Sequence, residues 1–461
     1  MVQLLRSAEL RALETSHAAA VPPLMERAGR AAAKLARQLL RDSRAPVLVC
    51  AGPGNNGGDA MVMARSLQQQ GIAVVVAGRG TTVPAGNYGL VVDGLFGIGL
   101  TRPVAGAYAE LIARINAFRG PVLALDIPSG LNGDTGQVLG VAVRATHTLS
   151  FIGGKPGLYT LDGPDHCGQV SVDNLQLALD ELPGALLSAA DFRDCLRPRR
   201  RNSHKGSYGS LAVIGGAAGM TGAALLAGRA GLKLGAGRVF VGLLEALAVD
   251  PLQPELMLRP AGNALAEATT VVIGPGLGES LAALEILRRA VAADLPLLLD
   301  ADALNLLAAH PVLAAHVARR SAPTVITPHP AEAARLLATT TAAVQADRVA
   351  TALSLAQRFN AHVALKGCGT VIAHPDGRWR VNAGGNPGLA SAGSGDVLCG
   401  IAGALLAQGW PAAAALCAAV HLHAAAAEAL AAAGDGPIGI AAGELITVAR
   451  TLLNRLIAAN A

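Results

Sequence analysis

This sequence predicts two α/β domains, each a largely parallel sheet with helices on both faces. Three observations lead there. Short apolar runs alternate with helix-length stretches along nearly the whole chain, the pattern of βα units that bury a parallel sheet from both sides. That rhythm breaks once, at a charged, proline-bearing seam in residues 193–205, and restarts beyond it. The chain has 461 residues, about three times the ~150-residue prior for one domain. We place the boundary near Pro198, which gives domains 1–197 and 198–461.

The elements follow in order. Ser7–Ser16 and residues 24–41 carry apolar residues near helical spacing. Residues 46–50 read as a short apolar strand, followed by a glycine-rich turn and a helix over 60–70. Residues 72–77, 90–92, 122–127 and 146–151 read as further strands, and Ala107–Ala117 as a helix between two of them. Beyond the seam, strands are expected at 211–214, 239–241, Val271–Ile273, 297–300, 324–327 and 363–365. Helices are expected at 221–234, 280–293, 346–359, 397–408 and Ala412–Ala433.

Composition narrows the class. Hydrophobic residues make up 52% and charged residues 15%, which excludes a disordered chain. Aromatics are only 3%, so the cores must be built from Ala, Leu, Val and Gly. The six cysteines contain no CxxC pair, which argues against a zinc ribbon, a thioredoxin-type site or a disulfide framework. Buried thiols in a reducing cytoplasm are the expectation. The start of the chain lacks a signal-peptide core. Ala412–Ala433 is apolar but interrupted by His421, His423 and Glu428, so we expect an Ala-rich buried helix and no membrane contact. The formal charge is +5. Residues 193–205 hold six basic residues against Asp194, so this seam accounts for the whole excess. With no basic patch interleaved with aromatics, no nucleic-acid partner is expected.

The first half carries one chemical constellation. The strand at 46–50 runs into Gly52-Pro53-Gly54-Asn55-Asn56-Gly57-Gly58-Asp59. Glycines at a strand-to-helix turn let backbone N–H groups and the helix dipole meet an anion. A plain turn would need no Asn-Asn and Asp oxygens. Two more strands end in carboxylates, Asp93 and Asp126, with Ser129 close behind the second. In a doubly wound sheet such ends converge on one site. Hard oxygens suit a hard cation better than zinc.

The second half carries another. Asn386-Pro387-Gly388-Leu389-Ala390-Ser391-Ala392-Gly393-Ser394-Gly395-Asp396 leads into a helix. Gly393 and Gly395 leave N–H groups free for a transferring phosphoryl group, and Asp396 is placed to take a proton from a hydroxyl. An N-capping role would explain Asp396 but not the glycines. Further glycine loops, acids and a histidine follow other strand ends at 274–278, Asp300, Asp302, His329 and 366–370. Only five lysines occur in the chain, and Lys155, Lys205 and Lys366 all stand in glycine-rich loops. Where arginine is otherwise preferred, this suggests a need for the compact ammonium.

With these motifs in view, residues 1–195 resemble the NAD(P)H-hydrate epimerase family. The Asn55–Asp59 turn, Asp93, the loop 97–103, the Leu125-Asp126-Ile127-Pro128-Ser129-Gly130 run and the Lys155-Pro156-Gly157 turn carry the likeness. It implies a Rossmann-like α/β/α sandwich. It also implies that Asn55, Asn56, Gly57, Gly58, Asp59, Gly97, Ile98, Gly99, Leu100, Thr101, Arg102 and Pro103 bind a hydrated nicotinamide nucleotide. Potassium would be held by Asn56, Asp93 and Ser129. Asp126 would bind substrate at the reacting centre as the catalytic proton carrier. Ile98 stands where the family more often has a small polar residue, so backbone contact is expected there.

From about residue 200 onward the chain resembles the ADP-dependent NAD(P)H-hydrate dehydratase family, a branch of the ribokinase-like fold. The ordered motifs HKGSYG, GMTGAA, GPGLG, DADAL, TPHPAE, KGCGT and NPGLASAGSGD carry this likeness. It implies that Lys366, Gly367, Cys368, Gly369, Thr370 and Gly395 bind ADP with Mg²⁺. Ala223, Ala224, Gly276, His329 and Asp396 would bind the hydrate, with Asp396 catalytic. Leu389, Ser391 and Ala392 depart from the commoner methionine, threonine and glycine, while the glycines and Asp396 are kept. Together the two likenesses imply a cytoplasmic, self-associating repair enzyme. It would interconvert R and S forms of NADHX and NADPHX and dehydrate the S form at the expense of ADP, giving AMP and phosphate. Two alternatives stand beside it: a vitamin or sugar kinase with an N-terminal nucleotide-binding module, and a non-enzymatic binding module.

Overall fold

The computed structural model describes every residue except Met1, Asp42, residues 79–85, Asp180, Glu181 and Ala461. The chain divides into two compact units, Met1–Leu186 and Leu187–Ala461. The division falls ahead of Pro198. Residues Ala189–Cys195 form a 3₁₀ helix, and Phe192 and Leu196 are buried in the second unit's core, so the seam is already part of that unit.

In the first unit the strands are β1 (Val47–Ala51), β2 (Val74–Ala77), β3 (Leu90–Gly94), β4 (Val122–Leu125), β5 (His147–Phe151) and β6 (Gln169–Asp173). Their order is β2-β1-β3-β4-β5-β6, and every pairing is parallel. β6 and the short β7 (Gly184–Leu186), bridged by Gln3, were not read from the sequence. Alternate residues of β1 feed two cores. Val47 and Val49 enter one, packed by the helices Leu24–Leu40 and Asn55–Gln69; Leu48 and Cys50 enter the other. This is the alternation a strand buried on both faces requires. β2 and β3 lie on opposite sides of β1, so the chain switches direction there. A crevice therefore opens beyond the carboxyl ends of β1 and β3.

The Asn55–Gln69 helix starts five residues earlier than the helix expected over 60–70. Asn55–Asp59 form its first turns rather than a loop before it. The reason is steric. A Cβ on Gly57 would lie 1.9 Å from the Gly52 carbonyl oxygen, so a bare Cα lets the helix begin directly against the turn.

In the second unit the strands are β8 (Ser210–Gly215), β9 (Arg238–Leu243), β10 (Met257–Pro260), β11 (Thr270–Ile273), β12 (Leu297–Leu299), β13 (Thr324–Ile326), β14 (His362–Leu365), β15 (Thr370–Ala373) and β16 (Trp379–Asn382). Within the unit they follow the order β10-β9-β8-β11-β12-β13-β14-β15-β16. All pair in parallel until β14, after which β14, β15 and β16 are antiparallel. β10, β15 and β16 were not expected. The core is built without bulk. The helices Thr221–Lys233 and Ser394–Ala407 approach so closely that a Cβ on Gly400 would sit 2.2 Å from the Ala227 carbonyl oxygen. The Ala412–Ala433 helix is long and apolar enough to cross a membrane, but 61% of its most apolar window is buried inside the structure. It packs in the same core.

All six cysteines are free of disulfides. Part of the seam's basic charge is structural. Arg199 donates to the Gly235 carbonyl and to Gln408 Oε1 at 2.7 Å, and lies 3.6 Å over the Tyr208 ring.

Candidate active sites

The first unit holds a cavity of about 710 Å³ at the crevice beyond β1, β3 and β4. Asn55, Asn56, Asp59, Gly97, Ile98, Gly99, Leu100, Thr101, Arg102 and Asp126 all line it. Gly57, Gly58 and Pro103 do not. Gly57 sits against Gly52, and Gly58 is closed over by Met25. Both glycines shape the turn.

Asp93 and Ser129 lie below this wall, each fully buried. Asp93 Oδ1 accepts from Ser129 Oγ at 2.6 Å and from the Leu95 N–H at 3.2 Å, and Oδ2 accepts from the Ser129 N–H at 2.8 Å. Burial pushes the Asp93 carboxyl up to about 6, against the pull of these bonds. Asn56 is 6% exposed, and neither its Oδ1 nor its Nδ2 has a hydrogen-bond partner among the described residues. A buried amide left unpaired costs about 1–3 kcal/mol, so this side chain calls for a partner such as a water, an ion or a ligand.

Asp126 takes a strained backbone conformation, φ +64°, which costs of order 1–3 kcal/mol outside glycine. The strain turns its carboxyl into the cavity. Oδ1 accepts from Lys155 Nζ and from the Phe151 N–H at 3.3 Å. Lys155 is fully buried and also donates to Ser150 Oγ and the Phe151 carbonyl, each at 2.9 Å. A buried ammonium is tolerated only when so paired. The sequence marked Lys155 as a rare lysine in a glycine-rich loop and as part of the Lys-Pro-Gly turn of the family likeness, but not as a site residue. The Ser7–Ser16 helix also adds Arg11 and Glu14 to the cavity; no motif pointed to them. Burial, with the charges of Asp126 and Glu14, pushes the Asp59 carboxyl up to about 8.

In the second unit the expected groups meet at the carboxyl ends of β12, β13 and β14. Lys366 Nζ lies 2.6 Å from Asp300 Oδ1 and 3.9 Å from Glu332 Oε2. Thr327 Oγ1 donates to the same Asp300 oxygen at 2.8 Å. A Cβ on Gly395 would fall 3.5 Å from Lys366 Nζ and 3.8 Å from Asp300 Oδ2. This places the glycine N-terminus of the Ser394–Ala407 helix beside the ammonium. The Asp396 carboxyl has no hydrogen-bond partner among the described residues. Burial and the neighbouring Asp300 push it up to about 6.

The 366–370 loop is held from beneath by Arg348, buried at 2% exposure, which donates to the carbonyls of Leu365 (3.0 Å), Lys366 (3.2 Å) and Gly369 (3.4 Å). Gly367 leaves room for it, since a Cβ there would lie 2.7 Å from the guanidinium. Arg348 carries no sequence signal of its own. Cys368 is exposed, and Thr370 Oγ1 closes the turn onto the Gly367 carbonyl at 3.2 Å. Gly276, at φ +58°, packs against Met220 and Ala223 at the start of the Thr221–Lys233 helix. Ala224 is fully buried, so its side chain faces the core. His329 caps the Pro330–Leu337 helix: Nδ1 accepts from the Ala331 N–H at 3.1 Å, and Nε2 lies 3.2 Å from Glu332 Oε1. Both ring nitrogens are engaged, so a ligand would meet the ring itself. Ser394, at the first turn of the glycine helix, is backed by buried His423, with Oγ and Nε2 3.1 Å apart.

Comparison with known proteins follows the same division. A family described as NAD(P)H-hydrate dehydratase matches residues 211–447. A family described as YjeF-related protein N-terminus matches 22–84 and 78–157. The bifunctional NAD(P)H-hydrate repair enzyme Nnr of Coxiella burnetii is 39% identical, over 94% of this chain and 94% of its own. The protein of the same name from Escherichia coli is 39% identical, over 94% of this chain and 89% of its own. Among solved structures, the ADP/ATP-dependent NAD(P)H-hydrate dehydratase of Bacillus subtilis, co-crystallized with ATP/Mg²⁺, matches with a TM-score of 0.52 at 29% identity. It covers 59% of this chain and 98% of its own. A ribokinase-like superfamily protein from Enterococcus faecalis matches at 0.53 and 26% identity, over 61% of this chain and 99% of its own.

Proposed function

The chain belongs to the bifunctional NAD(P)H-hydrate repair enzymes, and from that premise we propose how its two sites divide the work. The enzyme epimerises the hydrates of NADH and NADPH and dehydrates them to the intact cofactors with an adenine nucleotide. The observation that carries this is the match of one continuous chain, at 39% identity over nearly all its length, to proteins of that name. We assign epimerisation to the Asp126 cavity and dehydration to the Asp396 site.

At the second site, the unpartnered Asp396 carboxylate takes the proton of the hydrate hydroxyl. The oxygen then attacks the terminal phosphoryl group of the nucleotide, which we take to be ADP. N–H groups at the start of the Ser394–Ala407 helix receive the developing charge. The Lys366 ammonium stands beside them, locked by Asp300. Phosphate then departs with the C–O bonding pair as the ring nitrogen's lone pair forms C=N. The adjacent ring carbon gives up a proton to the leaving phosphate or to water, and its C–H pair restores the ring double bond. Bound Mg²⁺ neutralises phosphate charge during such transfers. No cluster of three or more His, Cys, Asp or Glu able to hold a metal occurs among the described residues, so we read magnesium as arriving with the nucleotide. Arg348 keeps the 366–370 loop in shape for that nucleotide.

At the first site, potassium is our reading of the buried Asn56 amide, the Asp93 carboxylate and the Ser129 hydroxyl. These are hard oxygen donors suited to such an ion. A cation there would satisfy Asn56 Oδ1 and balance Asp93 beneath the substrate. We further read the enzyme as cytoplasmic and self-associating. The free thiols support the first part, and light scattering on the purified chain tests the second.

One experiment tests the assignment. Mixed R and S hydrates are supplied with ADP, Mg²⁺ and K⁺, and the return of NADH absorbance is followed. Complete recovery requires both activities. Recovery stopping at the S fraction overturns the first-unit assignment, and no recovery overturns the second.

A further inference from the structure

We propose that two carboxylates in the first cavity divide the proton transfers of epimerisation: Asp126 is the base, fixed by Lys155 as a positioning residue, and Asp59 is the acid. This rests on the epimerase reading above. Both acids line the same cavity, Asp126 beyond the end of β4 and Asp59 in the second turn of the Asn55–Gln69 helix. Their surroundings are opposite. Asp126 Oδ1 is held by the fully buried Lys155 ammonium and the Phe151 N–H. Its Oδ2 makes no hydrogen bond among the described residues and lies 3.4 Å from where a Gly97 Cβ would stand, so this oxygen faces the bare glycine loop. Lys155 is committed to Asp126, Ser150 and the Phe151 carbonyl and cannot turn away. The Asp59 carboxyl has neither a hydrogen bond nor an ion pair among the described residues.

The remaining charged and titratable groups at this cavity are Arg11, Glu14 and His17 from the first helix, and Arg102 from the glycine loop. Glu14 is itself pushed up, by burial and by Asp126. Carboxylates crowded around one buried ammonium cannot all ionise. Asp126 is committed to the Lys155 ammonium, and Asp59, pushed up to about 8, keeps a proton at neutral pH. Environments that set two acids apart in this way mark an acid–base pair.

The step balances. The ring nitrogen's lone pair forms a C=N bond as the adjacent C–OH bond breaks. The oxygen leaves with the bonding pair, takes the Asp59 proton and departs as water. A water molecule then adds to the other face of the carbon, and the π pair returns to nitrogen. The proton lost by that water goes to Asp126. Exchange through solvent returns the proton to Asp59. In the reverse direction the two acids exchange roles. The planar cation between the two steps sits among Asp126, Asp59 and Glu14.

The test uses the full chain and a purified R hydrate, with R and S forms separated chromatographically against an enzyme-free blank. Asp59→Asn is expected to lower kcat at least 100-fold with KM changed less than about threefold, in keeping with the size of general acid catalysis. It should also remove the alkaline limb of the pH profile. Lys155→Met should move the acid limb up by at least one pH unit, and Lys155→Arg should restore part of the rate. ADP-dependent dehydration of pure S hydrate, run on each variant, shows that the second unit is folded, and a parental circular dichroism spectrum and thermal transition show that the first unit is. An Asp59→Asn variant with raised KM and undiminished kcat overturns the proposal, as does an alkaline limb that stays in place. A wild-type chain that fails to convert R to S above the blank would instead overturn the epimerase reading.

Discussion

Replacing Asp396 with asparagine is expected to make the second unit more stable while silencing it. In the folded chain this carboxyl is pushed from 3.8 to about 6, mainly by burial and secondarily by Asp300. The folded state therefore binds the proton more tightly than the unfolded state. Between those two values the native chain holds more protons than the unfolded one, so stability falls as pH rises from about 4 to about 6 and is level above. Two units correspond to about 3 kcal/mol at most; for a half-buried group still reached by solvent, we expect about 1–2 kcal/mol. Asp396→Asn removes the charge and should recover that amount at pH 7 and nothing at pH 4. Both tryptophans, Trp379 and Trp410, lie in the second unit, so fluorescence-detected urea unfolding reports on it alone. In parallel, dehydration of the S hydrate should drop at least 100-fold. An Asn variant that is less stable than the parent at pH 7, or whose advantage is the same at pH 4, would refute this account of the charge. A variant that still dehydrates would refute the role of Asp396.

Other expectations follow from single contacts. Arg348→Met strips three carbonyls of a charged donor, each such bond being worth about 1.5–3 kcal/mol. The KM for ADP should rise about tenfold or more with tryptophan-detected unfolding shifted down, and an unchanged KM would mean the 366–370 loop does not hold the nucleotide. Gly57→Ala drives a Cβ to 1.9 Å from the Gly52 oxygen, so R-to-S conversion should fall at least tenfold while dehydration of S hydrate stays within twofold. His423→Leu leaves the buried Ser394 hydroxyl unpaired and should lower dehydration several-fold. Because burial holds His423 down to about 4, it is neutral above pH 5, and this loss should be the same at pH 6 and pH 8.

The sequence by itself determined the class of fold and marked most of the candidate site residues. Strand-length apolar runs cannot be covered on both faces except by a βα alternation, so β1 to β5 and the central strands of the second unit could be read directly. Glycines beside acids at strand ends announced Asp126, Asp396 and their loops, because such turns are needed where backbone must approach a ligand. The edges were less legible. β6, β10 and the β15–β16 pair are short, and their pairing depends on neighbours far along the chain. The charged seam placed the boundary near Pro198, yet Phe192 and Leu196 lie in the second core. The Asn55–Asp59 segment read as a turn, because only the nearness of Gly52 shows why Gly57 can begin a helix.

Only the tertiary structure decided which groups share a charge. Lys155 is 29 residues from Asp126 along the chain and Lys366 is 66 residues from Asp300, and no spacing rule pairs them. Burial sets the state of an acid that has no partner among the described residues: Asp59 and Asp396 both hold their protons more tightly than an exposed carboxyl would. The local sequence supplies a carboxyl group. Its solvent exposure and its nearest charge, both products of long-range packing, decide whether that group begins a reaction as an acid or as a base.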